Sequence, residues 1–266
     1  MKIGFIGGGN MGEAMLTAIL GKGLSTAEEI CVSDINNKRR LYLEQEYNIT
    51  VTDNNRQVTD NSDIIILSIK PQNLAEVMAE LFGRLEPARP ILSIIAGASI
   101  NTLRLGLNHR RIARSMPNTP AQVGEGMIVW TATPEMTEPQ KETIRSILSA
   151  MGKEVYVDDE KYLDMATAVS GSGPAYFFLF VESLIKAAEK IGLSRNQASE
   201  LVLQTMAGSL QLMQKSGKTP EQLRKMVTSP GGTTAEALAQ FEKNELSQMV
   251  LQAVRAAYEK AKELGS

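Results

Sequence analysis

The first residues along the chain whose types and spacing suggest a ligand-binding site form a glycine-rich turn near the N-terminus. It has the pattern G-x-G-x-x-G, follows the apolar run Ile3–Ile6 and opens a helical pattern. Glycines at such points permit a tight turn, close approach of backbone N–H groups to a pyrophosphate, and packing of helix on strand. Substitution of Gly9 or Gly12 is therefore expected to abolish cofactor binding with little loss of folding. The residues predicted to hold a dinucleotide here are Ile6, Gly7, Gly8, Gly9, Asn10, Met11 and Gly12.

Asp34 follows this turn by about 20 residues, at the end of a second apolar run, where the ribose-contacting acid of such a site is expected. A carboxylate there accepts a hydrogen bond from the ribose 2′-hydroxyl and repels a 2′-phosphate, which favours NADH. Lys38, Arg39 and Arg40 follow within a turn or two of the next helix, and they form either a solvated helix face or a phosphate contact. The sequence therefore leaves the choice between NADPH and NADH open.

A second anion-binding turn is predicted at residues 230–234, which read Pro-Gly-Gly-Thr-Thr. Thr233 and Glu236 have the Thr-x-x-Glu spacing of a capping box, so a helix is expected to begin at or near Thr234. Unpaired N–H groups in the first turn of a helix bind carboxylates, and the two glycines allow a ligand to come close. The segment is either a carboxylate site or a plain capped helix without a ligand.

Residues for acid–base catalysis are scarce. The chain has one histidine, His109, which lies in a polar loop before a predicted strand and is expected at the surface. Reduction of a ketone commonly uses His, Lys or Tyr to manage the alkoxide proton. The one cysteine, Cys31, allows neither an intrachain disulfide nor a cysteine-based metal cluster, and no metal site is predicted.

The elements that must position these residues are short apolar runs that alternate with amphipathic segments. Ile- and Val-rich runs separated by helices are typical of a mainly parallel sheet that is buried on both faces. Beyond Asp158 and Asp159, Ala, Leu, Met, Glu and Lys dominate at helical spacing and no such run recurs. The runs are residues 3–6, 30–33, 64–69, 91–95, 112–116, 127–131 and 154–157.

We therefore predict two domains. Residues 1–159 form an α/β Rossmann domain with a doubly wound, mainly parallel sheet, and residues 160–266 form an all-α dimerisation and substrate domain. The segment 175–181 is apolar on every side, which a surface helix cannot be. We expect it to be buried in the core or between subunits, and so we predict a helix-mediated homodimer.

Composition limits the classes of partner. With 266 residues, of which 43% are hydrophobic, the chain can bury a sizeable core. Its 28 basic and 30 acidic residues leave no broad positive field, so neither nucleic acid nor a membrane is an expected partner. The N-terminus lacks a signal-peptide pattern, no apolar stretch is expected to approach membrane-spanning length, and cysteine scarcity fits the cytoplasm.

Four further stretches resemble pyrroline-5-carboxylate reductases, and the likeness runs over nearly the whole chain. They are Ser-Ile-Lys-Pro-Gln at 68–72, Met-Pro-Asn-Thr-Pro at 116–120, Ser-Gly-Ser-Gly-Pro-Ala-Tyr at 170–176 and Thr-Ser-Pro-Gly-Gly-Thr-Thr at 228–234. The resemblance implies a Rossmann domain, a helical dimerisation domain, and an active site where one subunit's cofactor faces helices of the dimer. It implies NAD(P)H-dependent reduction of the cyclic imine Δ1-pyrroline-5-carboxylate to L-proline, the last step of proline biosynthesis, in a homodimer that can join a larger ring of dimers.

The resemblance also assigns residues. On the cofactor side, it implies Ser68, Ile69, Lys70 and Pro71 along the nicotinamide half, Asp34 and Asn55 near the adenosine half, and Ala96 and Gly97 beside the nicotinamide. On the substrate side, it implies Glu160, Gly232, Thr233 and Thr234, with Thr234 as the catalytic residue at the ring nitrogen. Lys70 is expected to fix the cofactor rather than to act as an acid, because Pro71 makes its loop rigid.

An imine substrate agrees with the scarcity of acid–base residues. The nitrogen of a cyclic imine is basic enough to enter already protonated, so the iminium accepts hydride without an acid from the enzyme. Catalysis then depends mostly on positioning and hydrogen bonds.

Two rival functions remain open on the sequence. A β-hydroxyacid-dehydrogenase-like oxidoreductase would need a catalytic lysine in the helical domain, for which Lys186 and Lys190 are the candidates. A non-catalytic dinucleotide-sensing protein would need neither lysine. The first of these rivals leaves the Pro-Gly-Gly-Thr-Thr segment without a role.

Overall fold

The computed structural model of the chain describes residues 1–265 and contains one eight-stranded sheet. Its strands lie in the order β3-β2-β1-β4-β5-β6-β7-β8, and every neighbouring pair is parallel except β6 with β7. The first six positions follow the 3-2-1-4-5-6 order of a doubly wound Rossmann sheet. The strands are β1 Ile3–Ile6, β2 Ile30–Ser33, β3 Thr50–Thr52, β4 Ile64–Leu67, β5 Ile91–Ser93, β6 Ile112–Met116, β7 Gly126–Ala132 and β8 Gly152–Tyr156.

Helices cover both faces of this sheet, as the predicted fold class requires. Alternate residues of β4 show the arrangement, because Ile64 and Ile66 pack in one hydrophobic cluster while Ile65 and Leu67 pack in another. The wholly apolar sequence of β4 is explained by this burial on both sides. The helices are α1 Asn10–Gly21, α2 Asn37–Tyr47, α3 Asn55–Asp60, α4 Leu74–Leu81, α5 Ile100–Leu107 and α6 Glu138–Ser149.

The chain after β8 is helical to the end of the described residues, as predicted. The described chain forms two compact units, one of Met1–Pro174 together with residues 256–265 and a second of Ala175–Arg255. The domain boundary predicted at 159/160 stays a prediction. The elements are α7 Lys161–Ala166, a π-helical turn Thr167–Gly171, α8 Gly173–Lys190, α9 Arg195–Ser216, α10 Pro220–Met226, α11 Thr233–Lys243 and α12 Leu246–Gly265.

Large apolar side chains of the second unit are exposed in the single chain. Phe178 and Leu179 of α8 are 59% and 64% exposed, and only Val181 of that helix is buried. Helices α9 and α12 also present exposed apolar residues, among them Leu201, Leu212 and Leu251. The apolar segment 175–181 therefore does not belong to the core of one chain. Apolar surface of this extent marks an interaction surface.

One segment corrects an expectation from the sequence. The helical run Lys161–Lys190 is 30 residues long, and its most apolar window has a mean hydropathy of 1.3 with 11% of it buried. By length and composition alone, this run could cross a membrane. The expectation that no stretch approaches that length was wrong, because the charged residues lie at the two ends of the run.

Candidate functional site

The glycine turn connects β1 to α1. Gly7 has a φ of +98° and donates its N–H to the Ser33 carbonyl of β2 at 2.8 Å. A Cβ at Gly7 would lie 2.8 Å from backbone atoms of Ser68, so this position requires glycine. The first bond of the helix joins the Glu13 N–H to the Gly9 carbonyl at 2.8 Å.

Gly9 and Gly12 have different environments. A Cβ at Gly9 would meet no atom within 4 Å, and Gly9 lines a cleft of about 610 Å³. A Cβ at Gly12 would lie 2.8 Å from the Gly7 carbonyl oxygen and 3.0 Å from Ser68 Oγ. Gly12 therefore serves packing of helix on strand, and the close contacts indicate that its substitution costs stability as well as binding.

The start of α1 faces this cleft with open donors. Within residues 1–265, the N–H groups of Asn10, Met11 and Gly12 have no hydrogen-bond partner. Open N–H groups at a helix N-terminus bind phosphate, so the turn fits the pyrophosphate of a dinucleotide. Of the predicted cofactor residues, the cleft is lined by Ile6, Gly7, Gly9, Asn10, Asp34, Asn55, Ser68, Ile69 and Lys70.

Several lining residues were missed by the sequence analysis. Most of them follow β2, β3 or the Lys70 loop, so they lie at the carboxyl edge of the sheet, where ligands bind in open α/β folds. Strand β3 itself gave no signal in the sequence, so the residues after it could not be placed. The missed residues are Ser33, Ile35, Asn36, Asp53, Gln72, Asn73, Glu76, Val77 and Glu80. Arg39, which the sequence left open between a solvated helix face and a phosphate contact, also lines the cleft.

Asp34 is held in place by the backbone. Its Oδ2 accepts from the Gly8 N–H at 2.9 Å, and its Oδ1 accepts from the Asn36 N–H at 2.8 Å. Beside it, Asn55 accepts from Ser33 Oγ at 2.7 Å and donates to Glu80 Oε2 at 2.7 Å. The carboxylate is thus fixed at the edge of the cleft, with lone pairs left to accept from a ribose hydroxyl.

Replacement of Asp34 by serine is expected to shift cofactor preference toward NADPH by about tenfold, because it removes a like charge from the space of a 2′-phosphate. The measurement is the ratio of kcat/KM for NADPH to that for NADH. Asp60→Ser, which removes an exposed acid from α3 outside the cleft, is the matched control. An unchanged ratio in Asp34→Ser would show that Asp34 does not discriminate between a ribose 2′-hydroxyl and a 2′-phosphate.

The loop after β4 lies against the glycine turn. Ser68 donates its N–H to the Ile6 carbonyl at 2.9 Å and its Oγ–H to the Gly7 carbonyl at 2.6 Å. Lys70 is exposed at the cleft and precedes a 3₁₀ turn, Pro71–Asn73, in which Asn73 N–H donates to the Lys70 carbonyl at 3.0 Å. This rigid loop supports the prediction that Lys70 fixes the cofactor.

Other predicted cofactor residues do not line this cleft. Gly8, Met11, Gly12 and Pro71 belong to the turn and the loop that bound it. Ala96 and Gly97 lie after β5, at the same carboxyl edge of the sheet. Gly97 has a φ of +76°, and a Cβ there would lie 2.7 Å from Leu264 near the end of α12. The contact of Ala96 and Gly97 with the nicotinamide stays a prediction.

Glu160 takes part in an ion-pair cluster. Its Oε1 accepts from Arg114 Nη1 at 2.6 Å and from the Ile100 N–H, in the first turn of α5, at 2.8 Å. Arg114 is 4% exposed and also contacts Asp164 at 3.3 Å. Glu160 thus balances a buried charge of β6, and its predicted contact with substrate stays a prediction. Arg114 was missed, although a charged residue inside a buried strand requires a counterion.

Asn118 gives the Met-Pro-Asn-Thr-Pro motif a structural role. Its Nδ2 donates to the Ser170 carbonyl at 3.0 Å, and its Oδ1 accepts from the Met127 N–H at 2.9 Å. Ser170 lies in the π-helical turn, and Met127 lies in β7. Asn118 therefore joins two of the stretches that carry the family resemblance.

The threonine-rich turn differs from its prediction. Helix α11 begins at Thr233, its N-cap is Gly232, and neither a side-chain cap nor a capping box is present. Gly231, with a φ of +69°, turns the chain so that extended Gly232 can open the helix, which leaves Thr233 inside the first turn. The predicted capping role of Thr233 was wrong.

Open donors are nevertheless present at this helix start. Within the described chain, the N–H groups of Thr233, Thr234 and Ala235 have no partner, and Glu236 N–H is the first to bond, to the Gly232 carbonyl at 3.2 Å. The hydroxyl of half-buried Thr234 also has no hydrogen-bond partner among residues 1–265. The turn can therefore accept a carboxylate, with one hydroxyl beside it.

His109 is buried rather than exposed, which corrects the sequence analysis. It is 4% exposed, and its Nε2 lies 2.8 Å from the Arg89 carbonyl oxygen. The residue precedes β6, so it lies at the amino edge of the parallel strands, opposite the cleft. Burial lowers the pKa of His109 below the ordinary 6.5. His109 is therefore structural, which agrees with the expectation that it is not a catalyst.

This burial predicts an acid-sensitive stability. The unfolded chain binds a proton at His109 near pH 6.5 that the folded chain does not, so the contribution is complete above that pH and is lost as pH falls toward the lower folded pKa. We expect His109→Gln to flatten the loss of unfolding free energy between about pH 7.5 and 5.5. Denaturant titrations at one fixed protein concentration measure it. Equal pH slopes in wild type and variant would contradict the prediction.

The sheet order, the open glycine turn and the fixed acid at the end of β2 define a Rossmann-type dinucleotide-binding protein with a helical second region. Residues 2–97 match the family model described as NADP oxidoreductase coenzyme F420-dependent, and residues 160–264 match the model described as pyrroline-5-carboxylate reductase dimerisation.

Comparison with known proteins identifies the family. The chain is 40% identical to a pyrroline-5-carboxylate reductase of Synechocystis over 267 aligned residues, which cover 100% of this chain and 98% of the relative. Among solved structures, the pyrroline carboxylate reductase of Plasmodium falciparum with NADP bound has a TM-score of 0.92 at 34% identity, and that of Coxiella burnetii has a TM-score of 0.88 at 33%. Each alignment covers 100% of this chain and 98% of the other. The chain belongs to the pyrroline-5-carboxylate reductase family.

Proposed function

We propose that the protein reduces Δ1-pyrroline-5-carboxylate to L-proline with NADH or NADPH. The observation that carries the proposal is the start of α11, in the stretch most specific to the family. There, three N–H groups and one hydroxyl have no hydrogen-bond partner in the part of the chain that the structure describes. The same chain has an open cleft that fits a dinucleotide. Together they offer a place for a carboxylate, a contact for a ring nitrogen, and a source of hydride.

In this proposal the substrate carboxylate is bound by the first turn of α11. The N–H groups of Thr233, Thr234 and Ala235 supply hydrogen bonds and the positive end of the helix dipole. Gly232 lets the ligand approach, and the Thr234 hydroxyl accepts from the protonated ring nitrogen. The ring carbon of the iminium then accepts hydride, and the nitrogen becomes a secondary amine without a proton from the protein.

When bound, the dinucleotide supplies the hydride, and the protein supplies its position. The start of α1 would hold the pyrophosphate, Asp34 and Asn55 would border the adenosine half, and the Ser68–Pro71 loop would border the nicotinamide half. The placement of both ends follows the family resemblance. Support comes from the cleft, whose lining includes Gly9 and Asn10 at the start of α1, Asp34, Asn55 and residues 68–70.

The assembly is a homo-oligomer, because residues 160–264 match a dimerisation model and the apolar faces of α8, α9 and α12 are exposed in one chain. We propose that a second copy covers these faces and that dimers can join into a ring. The same match argues that the run Lys161–Lys190 contacts protein rather than lipid. A cytoplasmic location, supported by cysteine scarcity, belongs to the same proposal.

The rival functions have less support. Lys186 pairs with Glu182 of the same helix and its side chain is 67% exposed, while Lys190 is exposed in the last turn of α8. Both lysines fit a solvated helix face, which does not suit a catalytic lysine of a β-hydroxyacid dehydrogenase. A dinucleotide sensor would leave the open start of α11 without a ligand.

One experiment separates the three functions. Purified protein is mixed with NADH or NADPH and Δ1-pyrroline-5-carboxylate, the nicotinamide absorbance is followed, and proline is measured. Imine-dependent oxidation with equimolar proline is the expected result. Turnover of a β-hydroxyacid only, or cofactor binding without turnover of either substrate, would refute the proposal.

A further inference from the structure

A cluster of side chains behind the glycine turn restrains Arg39, which lines the cleft. Arg39 Nε donates to the Gly8 carbonyl, and Arg39 Nη2 donates to Glu13 Oε2. The guanidinium also lies over the Tyr42 ring, 5.1 Å from its centroid. The side chains of Arg39 and Glu13 are 21% and 19% exposed, so solvent screens this ion pair only partly.

Glu13 is itself fixed from the other side. Its Oε1 accepts from Tyr47 Oη at 2.7 Å and from Tyr42 Oη at 3.0 Å. Partial burial alone would raise the pKa of Glu13, but the hydrogen bonds from Arg39 and the two tyrosines outweigh it and hold the pKa below its usual value. Glu13 is therefore a permanent negative charge at neutral pH, and it does not line the cleft.

Arg40 is also engaged. Its Nη1 donates to the Asp34 carbonyl at 2.7 Å, and its Nη2 donates to Asn37 Oδ1 at 3.1 Å and lies 3.6 Å from Asp53. Both arginines that the sequence left open as phosphate contacts are thus bound to protein groups. The charged residues that line the cleft are the acids Asp34, Asp53, Glu76 and Glu80 and the bases Arg39 and Lys70.

We propose that Glu13 determines cofactor selectivity: it holds Arg39 against the glycine turn, withholds that guanidinium from a 2′-phosphate, and so makes the cleft select NADH over NADPH. A 2′-phosphate would bring about two negative charges into a lining that already has an excess of acids. It would have to compete with Glu13 for Arg39. The inference rests on the dinucleotide cleft of the proposed function.

The test is binding of NADH and NADPH without any imine, followed by nicotinamide fluorescence. Wild type is expected to bind NADH at least about tenfold more tightly, since an unpaired phosphate is costly. Glu13→Gln frees Arg39 for a bidentate phosphate contact and should raise relative NADPH affinity by about tenfold or more. Glu44→Gln, which removes an exposed acid from α2, is the matched control and should leave the ratio unchanged.

Arg39→Gln gives a second and independent readout. In the wild-type background it should change NADH and NADPH affinity by the same factor, whereas in the Glu13→Gln background it should remove the gain in NADPH affinity. If Glu13→Gln fails to fold, Arg39→Gln in the wild-type background still tests whether Arg39 is withheld from the 2′-phosphate. Three results would overturn the proposal. They are tighter binding of NADPH than of NADH by wild type, an affinity ratio in Glu13→Gln equal to that of the control, and a loss of NADPH affinity but not NADH affinity in Arg39→Gln. The binding measurements contain no imine. If the protein proved unable to reduce the imine, these affinities would therefore still test the role of Glu13.

Discussion

Replacement of Gly9 by alanine is expected to weaken NADH and NADPH binding by at least about 100-fold while the protein stays folded. A methyl group there would meet no protein atom, and the local backbone, with φ −66° and ψ −179°, is allowed for alanine. The methyl would instead occupy the space through which a pyrophosphate reaches the start of α1. Fluorescence titration and a thermal melt measure the two effects.

Gly12→Ala is the matched comparison within the same turn. Its Cβ would lie 2.8 Å from the Gly7 carbonyl oxygen, so we expect a loss of about 1–3 kcal/mol of stability in addition to any loss of binding. The two alanine variants should therefore separate binding from folding. Unchanged dinucleotide affinity in folded Gly9→Ala would refute the assignment of the turn to the pyrophosphate.

Replacement of Thr234 by alanine is expected to lower kcat/KM for the imine by roughly 10 to 150-fold, because a positioned hydrogen bond to a charged group contributes about 1.5–3 kcal/mol. Dinucleotide affinity should not change, since the cleft is lined by residues of the first unit and Thr234 belongs to the second. The fold should also survive, since within residues 1–265 the Thr234 hydroxyl bonds no protein group. Steady-state kinetics and direct cofactor titration measure the two quantities.

Thr233→Ala provides the control at the neighbouring position. Thr233 is exposed and makes no capping bond, so its loss should change stability by less than about 0.5 kcal/mol and activity much less than Thr234→Ala does. Thr234→Ser should keep most of the activity. Equal losses in the two alanine variants, or wild-type turnover by Thr234→Ala, would mean that the substrate binds elsewhere.

The sheet could be predicted where strands are buried on both faces. Strands β1, β2 and β6 begin and end at the predicted residues, because each is a short segment that is buried along most of its length. Strand β3, Thr50–Thr52, was missed because an edge strand of three residues with one apolar side chain carries no periodic pattern. Predicted runs that continued past Leu67 or Ser93 included residues 68–69 and 94–95, which lie in the loops after β4 and β5.

The site could be predicted only where local backbone chemistry determines it. The glycine turn and Asp34 depend on residues close in sequence or at a fixed spacing, and both lie at the cleft. The start of α11 was predicted to within one residue, but its cap was not, because left-handed Gly231 puts extended Gly232 at the N-cap in place of Thr233. Burial of His109 and the pairing of Arg114 with Glu160 depend on contacts between residues distant in sequence, which no local pattern encodes.

The exposed helical faces have a genetic consequence. They lie outside the part of the chain that lines the dinucleotide cleft, so a chain with a disabled glycine turn keeps its pairing surface. In a cell that makes inactive and active chains in equal amounts, random pairing would put about half of all dimers in the mixed form. Each mixed dimer would contain one intact and one disabled glycine turn, so the intact chain would keep its own dinucleotide cleft.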